Sequence, residues 1–159
     1  MSMAHIRRIL CAADLSRASR GAFAMAVTLA KAHHAGLTVL YVMEPVTPIL
    51  PEEYLASPTW ERIDKDTRAW ARRHLQTLVQ QAKARGVRAT ARMADGNAAD
   101  QIVKATRMTR SDLIVVGTHG RSGLSKFFLG SVAQRVVATA RCPVVTVPST
   151  PPRTAPRRA

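Results

Sequence analysis

Four apolar residues, Leu113 Ile114 Val115 Val116, run directly into Gly117 Thr118 His119 Gly120. Nine residues then intervene before Gly130 and Ser131, where an apolar-periodic segment begins. A buried strand feeding a Gly-x2-Gly-x9-Gly-Ser loop and then a helix narrows the possible folds sharply, because parallel α/β proteins hold phosphate groups at such places. Glycine suits the loop for two reasons. It tolerates positive φ, and without a Cβ it lets an anion reach the backbone N–H groups. Ser131 then starts the helix and presents a hydroxyl and unpaired amides at the positive end of the macrodipole.

The rest of the chain supplies the layers for such a sheet. Ile6 to Ala13 reads as a buried strand ended by Asp14 Leu15 Ser16, with Ser16 as N-cap of a helix carrying Ala18, Ala22, Met25, Ala26, Leu29 and Ala30. Gly36 is the expected stop, and Leu37 to Met43 the second strand, apolar on both faces. After a loop with Pro45, Pro48 and Pro51, a helix is predicted from Thr59 to Arg85. Its buried stripe is Ile63, Trp70, Ala71, Leu75, Leu78 and Ala82, with Arg68, Arg72, Arg73, Gln76 and Lys83 turned away and Gly86 closing it. Val87 to Met93 is a third strand, Asp95 Gly96 Asn97 a turn, and Ile102, Val103 and Met108 mark another helix. Leu113 to Val116, a helix over Val132 to Ala140, and a strand over Val144 to Val147 complete a βαβ series, hence a parallel sheet with helices on both faces.

Gly117 to Leu124 (GTHGRSGL), Leu129 to Ala133 (LGSVA) and Cys142 to Val147 (CPVVTV) together resemble the universal stress protein family, in its nucleotide-binding branch. The resemblance runs from Ile6 to about Val147. It implies a Rossmann-like α/β fold of the adenine nucleotide alpha-hydrolase type: one domain, five parallel strands, order 3-2-1-4-5. Ligands of such sheets sit where the strand order reverses, here between the first and fourth strands. Asp14 ends one and Gly117 the other, so two separate features converge on one crevice.

The resemblance also implies roles. The aspartate matching Asp14 contacts the nucleotide, Ala12 lines the pocket, and a main-chain group at Val42 meets the adenine. Gly117, Gly120, Gly130, Ser131 and Val132 surround the phosphates, and Arg121 and Lys126 supply charge in the same loop. ATP or a related adenine nucleotide is the expected ligand, with Mg possible through Asp14 and the phosphates. Leu15 departs from the family, many of whose members carry glycine there. Each feature also has a plainer reading: Asp14 as a helix cap, the glycines as tight turns, the cations as solvated side chains.

The expected role is nucleotide-dependent regulation or partner binding in a stress response. A slow ATP hydrolase or phosphotransferase using Asp14 and a divalent cation is the alternative, and a nonspecific nucleic-acid-associated protein a further one. His119 has no nucleophile or second acid paired with it in the sequence. No Walker pattern occurs. In the family the last strand commonly pairs with its counterpart, which makes a homodimer through Val144 to Val147 the expected assembly.

At 159 residues the chain suits one domain, 1–148, and a basic Pro/Arg-rich tail, 149–159, expected to be disordered. Aromatics make up 4% of the chain, so the core must be aliphatic and base-stacking surfaces are scarce. The net charge of +14 permits attraction to polyanions, though a solvated basic face explains such an excess more often than a specific nucleic-acid site. Cys11 and Cys142 lie in or beside apolar runs and read as buried free thiols in a reducing cytoplasm. Asp14 ends the first apolar run too early for a signal peptide, and Lys31, His33 and His34 interrupt the only long one, so no membrane span is expected.

Overall fold

A computed structural model describes residues 5–45, 57–119 and 129–149. Strands β1 (Arg8–Ala12), β2 (Gly36–Met43), β3 (Ala89–Asp95), β4 (Leu113–Gly117) and β5 (Val144–Val147) alternate with helices α1 (Arg20–Ala32), α2 (Pro58–Ala84), α3 (Ala98–Thr109) and α4 (Ser131–Thr139). All neighbouring strands pair in parallel, in the order β3-β2-β1-β4-β5. The proline loop at Pro48 and Pro51, and the tail beyond Ser149, lie outside the described residues.

The two-residue period of β1 sorts the core into two layers. Ile9, Cys11 and Ala13 face α1 and α2, packing with Phe23, Ala26, Leu75 and Val79. Leu10 faces α3 and α4 with Leu40, Ile102, Ile114 and Val136. Aliphatic side chains dominate both layers, as the scarcity of aromatics requires.

Several element ends differ from expectation, and each has a local cause. Ile6 is not in the first strand, because the amides of Arg7 and Arg8 turn to the Asp112 carboxylate at 2.8 and 2.9 Å. Ser16 does not cap α1. Its amide and hydroxyl both donate to Asp14 Oδ1, at 2.9 and 2.6 Å, and this side-chain turn delays the helix until Ser19 stands at the cap position. Nor does Gly36 stop α1, since it is already the first residue of β2. The stop is His34 at φ 54°, with Ala35 N–H donating to Ala30 and His34 N–H to Lys31. The same left-handed turn ends α2 at Gly86 and α3 at Arg110.

Helix α2 has 27 residues and is about 40 Å long, against about 26 Å for β2, so its first turns run past the sheet. Ile63, expected in the buried stripe, is therefore 48% exposed, and Val79 is buried instead. Arg68, expected to face solvent, ties this overhang down: it bonds Asp64 within the helix and forks onto Asp95 at the end of β3, with nitrogen to oxygen distances of 2.8 Å for each pair.

The two cysteines are free and differ in burial: Cys11 is fully buried, whereas Cys142 is only partly so. Burial pushes the Cys11 thiol up from 9.0 to about 12. The unfolded chain loses that proton near pH 9 while the native one keeps it, so the contribution to stability is intact below pH 9 and lost as pH rises toward 12. Wild-type stability is expected to fall across that window by about 1.4 kcal/mol per pH unit more steeply than that of Cys11→Ala. Urea melts at several alkaline pH values check this, and parallel profiles for the two proteins would contradict it.

Candidate functional site

Strands β1 and β4 lie side by side, with Ala12 opposite Val116, and their connections leave in opposite directions to helices on opposite faces. In such a topology the crevice lies beyond their carboxyl ends. Asp14 stands at one rim, two residues past the end of β1, with Oδ1 engaged by Ser16. Between them Leu15 adopts φ 62°, a left-handed conformation that costs a residue with a Cβ about 1–2 kcal/mol. Leu15 also packs against the core, which offsets part of that cost.

The other rim is the end of β4 and the start of α4. Glycine would tolerate positive φ at Gly117 and Gly130, but neither residue adopts it. A Cβ on Gly117 would meet nothing closer than the His119 carbonyl oxygen at 3.5 Å. Gly130 is different: its Cβ would stand 2.9 Å from the Thr118 carbonyl oxygen. The absent side chain thus allows the backbone itself to close the loop, with Gly130 N–H donating to Thr118 at 2.7 Å and Thr118 N–H to Val147 at 2.9 Å. One amide expected to face a phosphate is already used. Gly120, Arg121 and Lys126 lie outside the described residues.

What remains for a ligand is the first turn of α4. Gly130 occupies the cap position and cannot cap with a side chain, so the amides of Ser131, Val132 and Ala133 have no acceptor within the helix. Ser131 is exposed at the first helical position. The acidic residues are distributed in a way that matches. Helices α2 and α3 carry Glu61 and Asp100 in their first turns, where carboxylates complement the dipole, but α1 and α4, which begin at the crevice, carry none. Arg20 even opens α1, against the dipole. That placement is a signal readable in sequence once the helix start is known, and the sequence reading missed it.

Ala12, Val42 and Val132 pack against the same core cluster. All three are partly buried at the margin of the core layer under α3 and α4. Ala94 joins them, opposite Val42 in the β2–β3 ladder, a position that no motif distinguishes. Thr118 Oγ1 lies 2.9 Å from His119 Nδ1, a contact between chain neighbours. Among the described residues no three His, Cys, Asp or Glu side chains are grouped to hold a metal ion, so a divalent cation here would rest on Asp14 and on oxygens of the ligand.

Strand order and helix placement together define a doubly wound α/β protein of the Rossmann-like class, with a helix start free of first-turn acids at its switch point. Residues 5–148 match the universal stress protein family model, and the chain belongs to that family. It is 34% identical over 143 residues to a universal stress protein of Methanocaldococcus jannaschii, covering 89% of this chain and 81% of the relative. Among solved structures, a universal stress protein in complex with cAMP superposes with a TM-score of 0.68 at 23% identity, over 92% of this chain and all of the other. One from Archaeoglobus fulgidus in complex with dAMP superposes with a TM-score of 0.60 at 17% identity, over 91% and 98%. At these identities the two structures speak for the fold.

Proposed function

We propose that the β1/β4 crevice binds an adenine nucleotide, ATP or a close relative, and that occupancy regulates the protein or its partner choice in a stress response. The observation that carries this reading is that α1 and α4, the helices that follow the two strands at the switch point, have no first-turn carboxylate. A phosphate chain is the natural complement of such a site, with the α4 amides and Ser131 as donors. Ala12, Val42, Ala94 and Val132 offer an apolar bed for a base, and Asp14 an acceptor for ribose hydroxyls or a partner for a phosphate-bound Mg ion. The nucleotides carried by the two related structures support the same ligand class.

Two further parts belong to the proposal. The protein acts in the cytoplasm, a reading supported by two free cysteines. It is a homodimer joined along β5, whose outer side meets no other strand among the described residues.

Calorimetric titration with ATP, ADP and AMP tests the site. Micromolar binding is expected for the wild type, about 8 kcal/mol, and Asp14→Ala should weaken it about 10- to 100-fold, the loss of one charge-assisted hydrogen bond. Asp14→Asn keeps an acceptor for Ser16 and so separates loss of the turn from loss of the charge. Unchanged ATP affinity in both variants would sink the proposed site. Release of phosphate that depends on Asp14 would instead make the protein a hydrolase.

A further inference from the structure

The opposite end of the sheet has its own chemistry. The five strands of the sheet begin there and the four helices among the described residues end there. A depression of ≈ 740 Å³ across the starts of β3, β2 and β1 is lined by Arg7, Arg8, Lys83 and Arg88. A second, of ≈ 240 Å³, lies between α3, α4 and the starts of β4 and β5 and is bounded by Arg107, Arg110 and Arg141. Between them lies the β1–β4 junction, where Asp112 N–H donates to the Arg8 carbonyl at 2.8 Å. Lys31 and Arg85, at the ends of α1 and α2, add to the same edge.

All of these cations are exposed. None takes part in an ion pair among the described residues; the ion pairs there involve Arg68 and Arg135. Asp112 is the one acid at this edge among the described residues, and the amides of Arg7 and Arg8 already occupy its carboxylate. Helix dipoles explain only part of the pattern. Lys31, Lys83 and Arg107 stand in last helical turns, where the dipole favours cations, but Arg7, Arg8 and Arg88 stand at strand starts. Four helix ends contribute about −0.5 charge each, so most of the positive charge stays uncompensated.

We propose that this edge is a second binding surface, for the phosphate backbone of double-stranded nucleic acid, distinct from the nucleotide crevice at the far end of the strands. Five strands at about 4.8 Å spacing make the edge about 19 Å wide. A duplex presents about 11 negative charges over that length, of which about half face the protein, and the cations of the two depressions can match that half. Single strands fit less well, because they are held by aromatic stacking. The described aromatics, Phe23, Tyr41, Trp60 and Trp70, all lie toward the other end of the sheet. A membrane surface fits less well too, since among the described residues no amphipathic helix lies along this edge to insert an apolar face. No helix start or strand pair enters a groove, so contact is with the backbone and carries no base preference.

The test is fluorescence anisotropy with a labelled 20-bp duplex of arbitrary sequence and the full chain, titrated from 50 to 300 mM KCl. The wild type is expected to bind with a steep dependence of log K on log salt. The variant Arg7→Gln, Arg88→Gln, Arg110→Gln, Arg141→Gln should lose about 3–4 from that slope and at least about tenfold in affinity at 100 mM. Each double variant, Arg7→Gln with Arg88→Gln or Arg110→Gln with Arg141→Gln, should lose about half, with thermal melting confirming the fold. The proposal is overturned if the wild type does not bind at 50 mM salt, or if the fourfold variant binds as well as wild type. It is equally overturned if only Arg153→Gln, Arg157→Gln, Arg158→Gln abolishes binding, or if phosphatidylserine vesicles are bound more tightly than the duplex.

Discussion

Gly130→Val is expected to reduce ATP affinity by about 100-fold or more and to lower stability at the same time. The valine Cβ would fall 2.9 Å from the Thr118 carbonyl oxygen, a backbone atom with no rotamer to give. Either the end of β4 or the start of α4 must move, and the 2.7 Å bond from Gly130 N–H to Thr118 goes with it. The Ser131 and Val132 amides then leave their positions. Losing two charge-assisted hydrogen bonds, at about 1.5 kcal/mol or more each, accounts for the drop in affinity. The clash itself costs about 1–3 kcal/mol of folding free energy, which a domain with about 5–15 kcal/mol in hand survives. Sequence reasoning alone would place the whole effect on the ligand, because it sees the glycine as an approach path for phosphate. The structure makes it first a contact between two backbone segments. Titration calorimetry alongside thermal melting measures both effects, and wild-type ATP affinity in a folded Gly130→Val protein would remove α4 from the site.

Thr146→Pro is expected to halve the mass in solution while leaving the fold in place. In the β4–β5 ladder Ile114 N–H donates to the Pro143 carbonyl and Thr118 N–H to that of Val147. Alternate residues of a parallel strand bond the same neighbour, so Pro143, Val145 and Val147 serve β4, and the backbone groups of Val144 and Thr146 point to the open edge. Val145 and Val147 pack toward one core layer and Val144 toward the other, so both faces of the strand are packed, and its outer edge pairs with no strand among the described residues. An apolar open edge of this kind is a template for a second strand. Proline at 146 deletes an outward donor without touching the bonds to β4. Light scattering at micromolar concentration reads the result: a monomeric wild type would contradict the dimer, and a dimeric Thr146→Pro protein would move the interface away from β5.

Particular residues show where sequence reading reached the structure and where it stopped. The Asp95 Gly96 Asn97 turn and the Gly86 stop were legible because their chemistry is local: Gly96 takes φ 130° and Gly86 φ 82°, and within that turn Asn97 caps α3 by accepting from Asp100 N–H. His34 and Arg110 do the same job as Gly86 and were illegible. Their left-handed turns are sustained by burial of the residues that follow, Ala35 and Ser111, which no local preference announces. Ser16 looked like a cap until Asp14, two residues away, competed for its amide.

The candidate site divides along the same line. Asp14, Gly117 and Ser131 were legible because strand ends, glycine loops and helix starts each leave a local signature. Ala12, Val42, Ala94 and Val132 are ordinary apolar residues, and only strand register brings them to one margin of the sheet.

By itself the sequence determined the alternation of elements, the parallel sheet and the loop that an anion would approach, since periodicity and turn chemistry act over a few residues. Only the tertiary structure decided that Gly130 serves backbone closure, that α1 and α4 start at the crevice without acids, and that the basic side chains collect at the opposite edge. Those facts depend on distances between segments up to about a hundred residues apart, which packing and pairing set and local preference does not.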